Sequence, residues 1–200
     1  MGRSKINIQA IVFDCFGVLV TETSLAFART YLSGNQNHLQ QFEDAKRASD
    51  LGYISTEELC KTASELSGLS EAEVFKILEQ GSSLDESMLG LVRQLKKRSS
   101  CKIGMLSNIT PNRLDDFFTA EEKQLFDALT LSYETGYVKP DERAFQVALD
   151  ELGVMAEETI FIDDQLRNID VANKLGFQTV HFTDQSALEA ELRQYGILPL

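Results

Sequence analysis

Four places along the chain carry side chains that could do chemistry together, and each follows an apolar run. IQAIVF (8–13) runs into Asp14, and CKIGMLSN (101–108) ends in Ser107 and Asn108. ALTLS (128–132) precedes the loop YETGYVKP with Lys139, and TIFIDD (159–164) ends in Asp163 and Asp164, with Asn168 one turn further on. A carboxylate can attack as a nucleophile or bind a hard cation. A hydroxyl, an amide and an ammonium can donate hydrogen bonds to phosphate oxygens. Asp14, Asp163 and Asp164 against Lys139 would place more negative charge in one cleft than can stay ionised unaided. A divalent cation removes the conflict. Mg²⁺ suits it, because it takes a few carboxylate oxygens, a carbonyl and several waters. Each signal alone has a plainer reading: a strand-end Asp caps a helix, Ser107-Asn108 precedes Pro111 as a cap, and Lys139 is a loop charge. The recurrence of the pattern at successive strand ends carries the functional reading.

What must position these residues is a parallel sheet. Strand and helix signals alternate from residue 101 onward, and 110–118, 141–153, 168–176 and 186–196 read as helices between and after the strands. QTVHF (178–182) reads as a fifth strand. This predicts an α/β, Rossmann-like, three-layer parallel-sheet core, in which ligands bind beyond the carboxyl ends of the strands. Residues 20 to 98 differ, with apolar stripes at helical spacing in four or five segments. Ser55 with Glu58 and Ser70 with Glu73 fit capping boxes, and Gly68 can end the helix before Ser70. The expected organisation is a core of 1–19 and 99–200 with a helical insertion of 20–98, whose last helix could belong to the core.

The order of motifs resembles the haloacid dehalogenase superfamily across nearly the whole chain. DCFGV is similar to its first motif, MLSN to the second, GYVKPDERAF to the third and FIDDQLRNIDVANKLGF to the fourth. STEEL…SGLSEAEV is similar to the small helical cap that the family inserts after motif one. The resemblance is closest to small phosphatases and 2-haloacid dehalogenases and to the amino-terminal domains of soluble epoxide hydrolases. It implies that Asp14 attacks the substrate to form a covalent aspartyl intermediate that water then hydrolyses. It implies that Asp14, Asp164 and the Phe16 backbone carbonyl hold Mg²⁺, with Asp163 in support. Lys139 would orient Asp14 and neutralise charge, Ser107 and Asn108 would bind the phosphoryl group, and Asn168 would hydrogen-bond near the metal or Lys139.

The chain departs from the pattern at Phe16. The family's phosphatases carry there an Asp that protonates the leaving group and then activates water, which a phenyl ring cannot do. Phosphate esters with basic leaving groups are therefore expected to react slowly. Dehalogenases place an aromatic at this position and use no metal, but they lack the paired acids kept here as Asp163 and Asp164. Three readings follow: a Mg²⁺-dependent phosphatase of a small phosphate ester or anhydride, a 2-haloacid dehalogenase-type hydrolase, and a catalytically weak binding or regulatory protein. Metal dependence separates the first two, and a trapped covalent intermediate separates both from the third.

Composition sets the remaining bounds. The 200 residues are 43% hydrophobic and 25% charged, with a net charge of −12. Such acidity argues against nucleic acid and anionic membrane surfaces as partners, while a local cation still admits an anionic substrate. Cys15, Cys60 and Cys101 form no metal-ligand cluster and read as reduced thiols. MGRSKINIQA has no apolar run suited to a signal peptide, and nothing approaches a membrane span. A cytoplasmic location is expected. Arg29, Lys46 and Arg47 are candidate anion contacts, set against a plain solvated helix face. His38 and His181 receive no chemistry.

Overall fold

The computed structural model describes residues 7–199. The expectation for the N-terminal leader thus lies in part outside the described residues. Five parallel strands form one sheet in the order β3-β2-β1-β4-β5. They are β1 (Ala10–Phe13), β2 (Lys102–Ser107), β3 (Ala128–Leu131), β4 (Thr159–Asp163) and β5 (Gln178–His181). The chain builds outward from β1 to β3 and then returns to β1's other side with β4. The reversal creates a crevice at the carboxyl ends of β1 and β4, and Asp14 and Asp163 stand on its two sides.

Side-chain alternation explains the layers. Ile11, Phe13, Ile103, Met105, Ile160 and Ile162 pack on one face of the sheet, with Met88, Leu89, Val92 and Leu95 of α5 (Glu86–Arg98) and Leu188 and Leu192 of α10 (Gln185–Gln194). Ala10, Val12, Leu106 and Phe161 pack on the other, with Phe145 and Leu149 of α8 (Glu142–Leu152) and Ile169 and Ala172 of α9 (Leu166–Leu175). Gly104 faces this second layer because a Cβ there would come within 2.9 Å of Leu152.

A third apolar cluster lies wholly in the helical block: Phe27, Leu32, Phe42, Leu59, Ala63, Val74 and Leu78 among others. Its elements are α1 (Ser24–Phe27), which continues as a π-helical turn over Ala28–Leu32, then α2 (Gln36–Asp50), α3 (Thr56–Ser67) and α4 (Glu71–Leu78). The last helix of the 20–98 segment, α5, packs instead against the sheet. Both capping boxes form, and Gly68 closes α3 in the left-handed conformation. Each such cap is worth about 1 kcal/mol. Between residues 110 and 118 the expected helix is absent. Asn112 adopts φ +64°, which ends any regular run from Pro111, and only a 3₁₀ turn, Arg113–Asp116, follows. The regular turn comes later as α6 (Ala120–Lys123), with Thr119 and Glu122 as its capping box. A short α7 (Ser132–Thr135) follows β3. Among the described residues no helix is long and apolar enough to cross a membrane.

Candidate active site

Asp14 follows β1 directly, and its N–H donates to the Ile162 carbonyl of β4 at 2.8 Å, so the sheet fixes its backbone. Its Oδ1 accepts from the Cys15 N–H at 2.6 Å and lies 2.7 Å from the Lys139 ammonium. The turn that follows wraps around the Cys15 carbonyl, which accepts from Leu19 and Val20 at 2.8 and 2.9 Å. Gly17 sits in it at φ +93°, and a Cβ there would fall 2.4 Å from the Asp164 carboxyl carbon. Only glycine leaves room for that carboxylate.

Lys139 comes from the loop before α8, and Asn108 at the end of β2 holds its backbone. The Asn108 amide donates to the Lys139 carbonyl at 3.0 Å and accepts from the Lys139 N–H at 2.7 Å. Asn108 is thus a clamp on Lys139, with its second amide hydrogen left over for an anion. Lys139, itself buried, reaches Asp163 at 2.8 Å as well as Asp14. Asp163 also accepts from the Gln165 N–H at 2.8 Å and from Asn168 Nδ2 at 3.0 Å on each oxygen. Asn168 therefore orients Asp163 rather than Lys139. His181 Nε2 lies 3.0 Å from the Asp164 carbonyl oxygen and braces it, a contact that the sequence reading did not assign.

The electrostatics follow from this crowding. Burial, then the neighbouring Asp163, push the Asp14 carboxyl well above the usual carboxylate range. For Asp163 burial acts the same way, but Lys139 and the hydrogen bonds around it overcome that and hold it below its ordinary value. Burial opposes the Lys139 charge, yet the carboxylates of Asp14 and Asp163 raise its pKa. Asp164 is pushed up to about 6 by burial and by Asp163. Carboxylate oxygens of Asp14, Asp163 and Asp164 lie within 4.8 Å of one another, and the buried Asp164 Oδ1 has no hydrogen-bond partner. An unpartnered oxygen, held in a glycine cradle among three acids, fits a small divalent cation.

Beside these groups lies a cavity of about 250 Å³. Asp14, Phe16, Asn108, Lys139 and Asn168 border it, whereas Ser107, Asp163 and Asp164 do not. The Ser107 hydroxyl is buried, meets the Cys15 thiol and makes a long contact of 3.5 Å to the Asn108 carbonyl. Phe16 packs edge-on against Phe117 at 5.8 Å. Cys15 is buried, and its thiol is pushed far above its usual range by burial and then by Asp14, so it is inert. The helical block supplies the far wall, including Glu22, Lys46, Arg47 and Asp50, while Arg29 does not reach it. Lys46 and Asp50 form an i, i+4 ion pair at 2.9 Å. That spacing is visible in the sequence, but nothing there shows that the pair faces the cleft.

Comparison with known proteins fits this architecture. The chain is 30% identical over 192 residues to a D-ribitol-5-phosphate phosphatase of Bacteroides thetaiotaomicron, covering 86% of this chain and 90% of that one. It is 35% identical over 114 residues to the sesquiterpene phosphatase astK of Aspergillus oryzae, a match spanning 55% of this chain and 56% of that relative. A HAD-family enzyme of Bacteroides thetaiotaomicron, solved in complex with magnesium and inorganic phosphate, superposes with a TM-score of 0.67 at 23% identity, over 91% of this chain and 99% of that one, and shares the fold. The family model for haloacid dehalogenase-like hydrolases matches residues 8–176, and this chain belongs to that family.

Proposed function

We propose that this hydrolase is a Mg²⁺-dependent phosphatase of a small phosphorylated metabolite and works through an aspartyl-phosphate on Asp14. The observation that carries the reading is the Lys139 bridge between Asp14 and Asp163, beside a third carboxylate with an unpartnered oxygen, at the edge of a cavity walled by the helical block. Relatives named as phosphatases support it. Asp14, Asp164 and the Phe16 carbonyl would hold the metal, and Asp163 would support it from behind. Bound there, Mg²⁺ would polarise the phosphoryl oxygens and offset their charge.

The protein's own groups divide the remaining work. Asp14 is held at one oxygen by Lys139 and the Cys15 N–H and attacks phosphorus with the other. Lys139 favours the ionised form of the attacking carboxylate against burial and Asp163, and steadies charge on the transferred group. The second amide hydrogen of Asn108 points the phosphoryl group, while Ser107 supports that strand end from within. The wall from the helical block selects the organic part of the substrate.

The test is a screen of phosphate esters and anhydrides, and of 2-haloacids, with Mg²⁺ and with chelator. Hydrolysis of phosphate compounds that needs Mg²⁺ and disappears in Asp14→Asn is the expected result. Metal-independent release of halide would favour the dehalogenase reading that Phe16 invites.

A further inference from the structure

The proposed reaction needs a proton carrier, and Phe16 cannot be one. When Asp14 attacks, the electron pair of the broken P–O bond passes to the leaving oxygen. Two of the acids that border the cleft, Glu22 and Asp50, are committed as acceptors. Glu22 takes the Ser24 N–H at 3.0 Å and the Ser24 hydroxyl on one oxygen, and the Leu25 N–H at 2.7 Å on the other. Lys139 is locked between Asp14 and Asp163. Arg113 is paired with Glu79 at 3.1 Å, and a guanidinium does not release its proton in proteins.

Lys46 differs from all of these. It borders the main cavity and a smaller adjoining one of about 50 Å³, and in both it shares the lining with Phe16 and Asn108. Its ammonium donates to the two oxygens of Asp50 at 3.0 and 2.9 Å, which leaves one hydrogen for another acceptor. Asp50 is buried, and its carbonyl accepts the Ser132 hydroxyl, which ties the end of α2 to the end of β3. Lys46 is therefore a positioned cation on the wall of the cavity that Asp14 also borders.

We propose that Lys46 is the acid–base residue of this site and stands in for the carboxylate that Phe16 replaces. The inference rests on the phosphatase reading above. In the first step the Asp14–phosphorus bond forms, the P–O bond to the leaving group breaks, and the leaving oxygen takes a proton from the Lys46 ammonium. In the second step the neutral Lys46 amine takes a proton from water as its oxygen attacks the aspartyl-phosphate. Inorganic phosphate, free Asp14 and the ammonium result, so the proton lent in the first step returns in the second. Burial works against the Lys46 charge, but Asp50, Glu22 and Glu79 outweigh it and hold the lysine protonated before reaction. Asp50 is the positioning residue.

The test compares first-turnover rates of an alkyl phosphate and nitrophenyl phosphate, with Mg²⁺ present, in wild type, Lys46→Met, Lys46→Arg and the double variant Lys46→Met/Asp50→Asn. The double variant avoids leaving a buried carboxylate without its counter-ion and serves if Lys46→Met does not fold. Without Lys46 the alkyl ester should slow by roughly 10²-fold or more, while the nitrophenyl ester, whose leaving group needs no proton, slows by less than about fivefold. The phosphorylated enzyme should then accumulate, seen as a phosphoryl mass adduct, and Lys46→Arg, which keeps the charge but does not release its proton, should leave the alkyl rate as low as Lys46→Met does. An equal loss on both esters, or no loss on the alkyl ester, overturns the role of Lys46 and leaves the phosphatase reading standing. If wild type hydrolyses neither ester nor any other phosphate compound, the phosphatase reading fails and this inference with it.

Discussion

At the scale of single residues, the proposed metal site depends on the space that Gly17 leaves. The Asp164 carboxylate fills the volume a side chain would take, so Gly17→Ala should displace it and remove Mg²⁺ binding while the sheet survives. Asp164→Ala should do the same by removing the oxygen, and the rise in melting temperature on adding Mg²⁺ should vanish in both. An undiminished rise would place the cation elsewhere. The pH dependence has a definite sign. The folded pKa of Asp164 is raised to about 6, so its contribution to stability is full below its unfolded pKa and is lost as pH rises through about 6. A cation restores what that ionisation removes. The Mg²⁺-induced rise in melting temperature should therefore be larger at about pH 7.5 than at about pH 5. A second prediction concerns Phe16. In the Lys46→Met background, Phe16→Asp should recover alkyl-phosphate hydrolysis by roughly 10-fold or more, because a carboxylate there can carry the same proton. No recovery, with the fold and Mg²⁺ response intact, would show that position 16 cannot reach the leaving oxygen.

At the scale of elements, the helical block is fastened over the core by Arg113. From the 3₁₀ turn it bonds the Glu79 carboxylate at 3.1 Å and the Glu79 carbonyl at 2.7 Å, and its guanidinium lies 4.8 Å from the Phe117 ring that packs on Phe16. A charge-assisted bond of this kind is worth about 1.5 kcal/mol, so Arg113→Met should weaken the block's hold on the core by roughly tenfold. KM should rise, by at most that factor, with a small change in melting temperature. A collapse of the fold instead would make Arg113 a structural residue. This contact was not legible in the sequence, for a physical reason. Arg113 falls in a stretch whose Pro and apolar spacing read as a helix, and the left-handed Asn112 that redirects it is a tertiary outcome. The neighbouring α6 did have a local signal, the spacing of Thr119 and Glu122. The strands, written as short apolar runs, and the caps at Ser55 and Ser70 were legible because their causes are local. The residues at the strand ends were legible too, since a parallel sheet brings its carboxyl ends together. The partners they take were not. That Asn108 clamps Lys139, that Asn168 serves Asp163, and that Lys46 and Asp50 complete the cleft all depend on how distant segments meet.

At the scale of the molecule, a net charge of −12 surrounds a site proposed to take an anion. The long-range field repels the substrate, while Lys139, Lys46 and a bound cation attract it only at close range. Raising monovalent salt from about 10 mM to about 150 mM shortens the screening length from about 30 to about 8 Å. At saturating Mg²⁺, kcat/KM for a phosphate dianion should therefore increase with salt. A steep decrease would mean that local positive charge dominates the approach. The helical block joins the core through two connecting segments that lie side by side: Val20 pairs with Leu84, the Thr21 N–H donates to the Ser83 carbonyl at 2.9 Å, and the Asp85 N–H donates to the Leu19 carbonyl at 2.8 Å. The block also has an apolar interior of its own. To the sheet, everything between those two segments is a loop whose ends already touch. Closing such a loop costs entropy that grows only with the logarithm of its length, about 0.6 kcal/mol for each doubling. The sheet and its carboxylates would thus tolerate a longer, shorter or foreign insert at almost constant stability, and selection could exchange the substrate-facing wall while leaving the nucleophile's surroundings untouched.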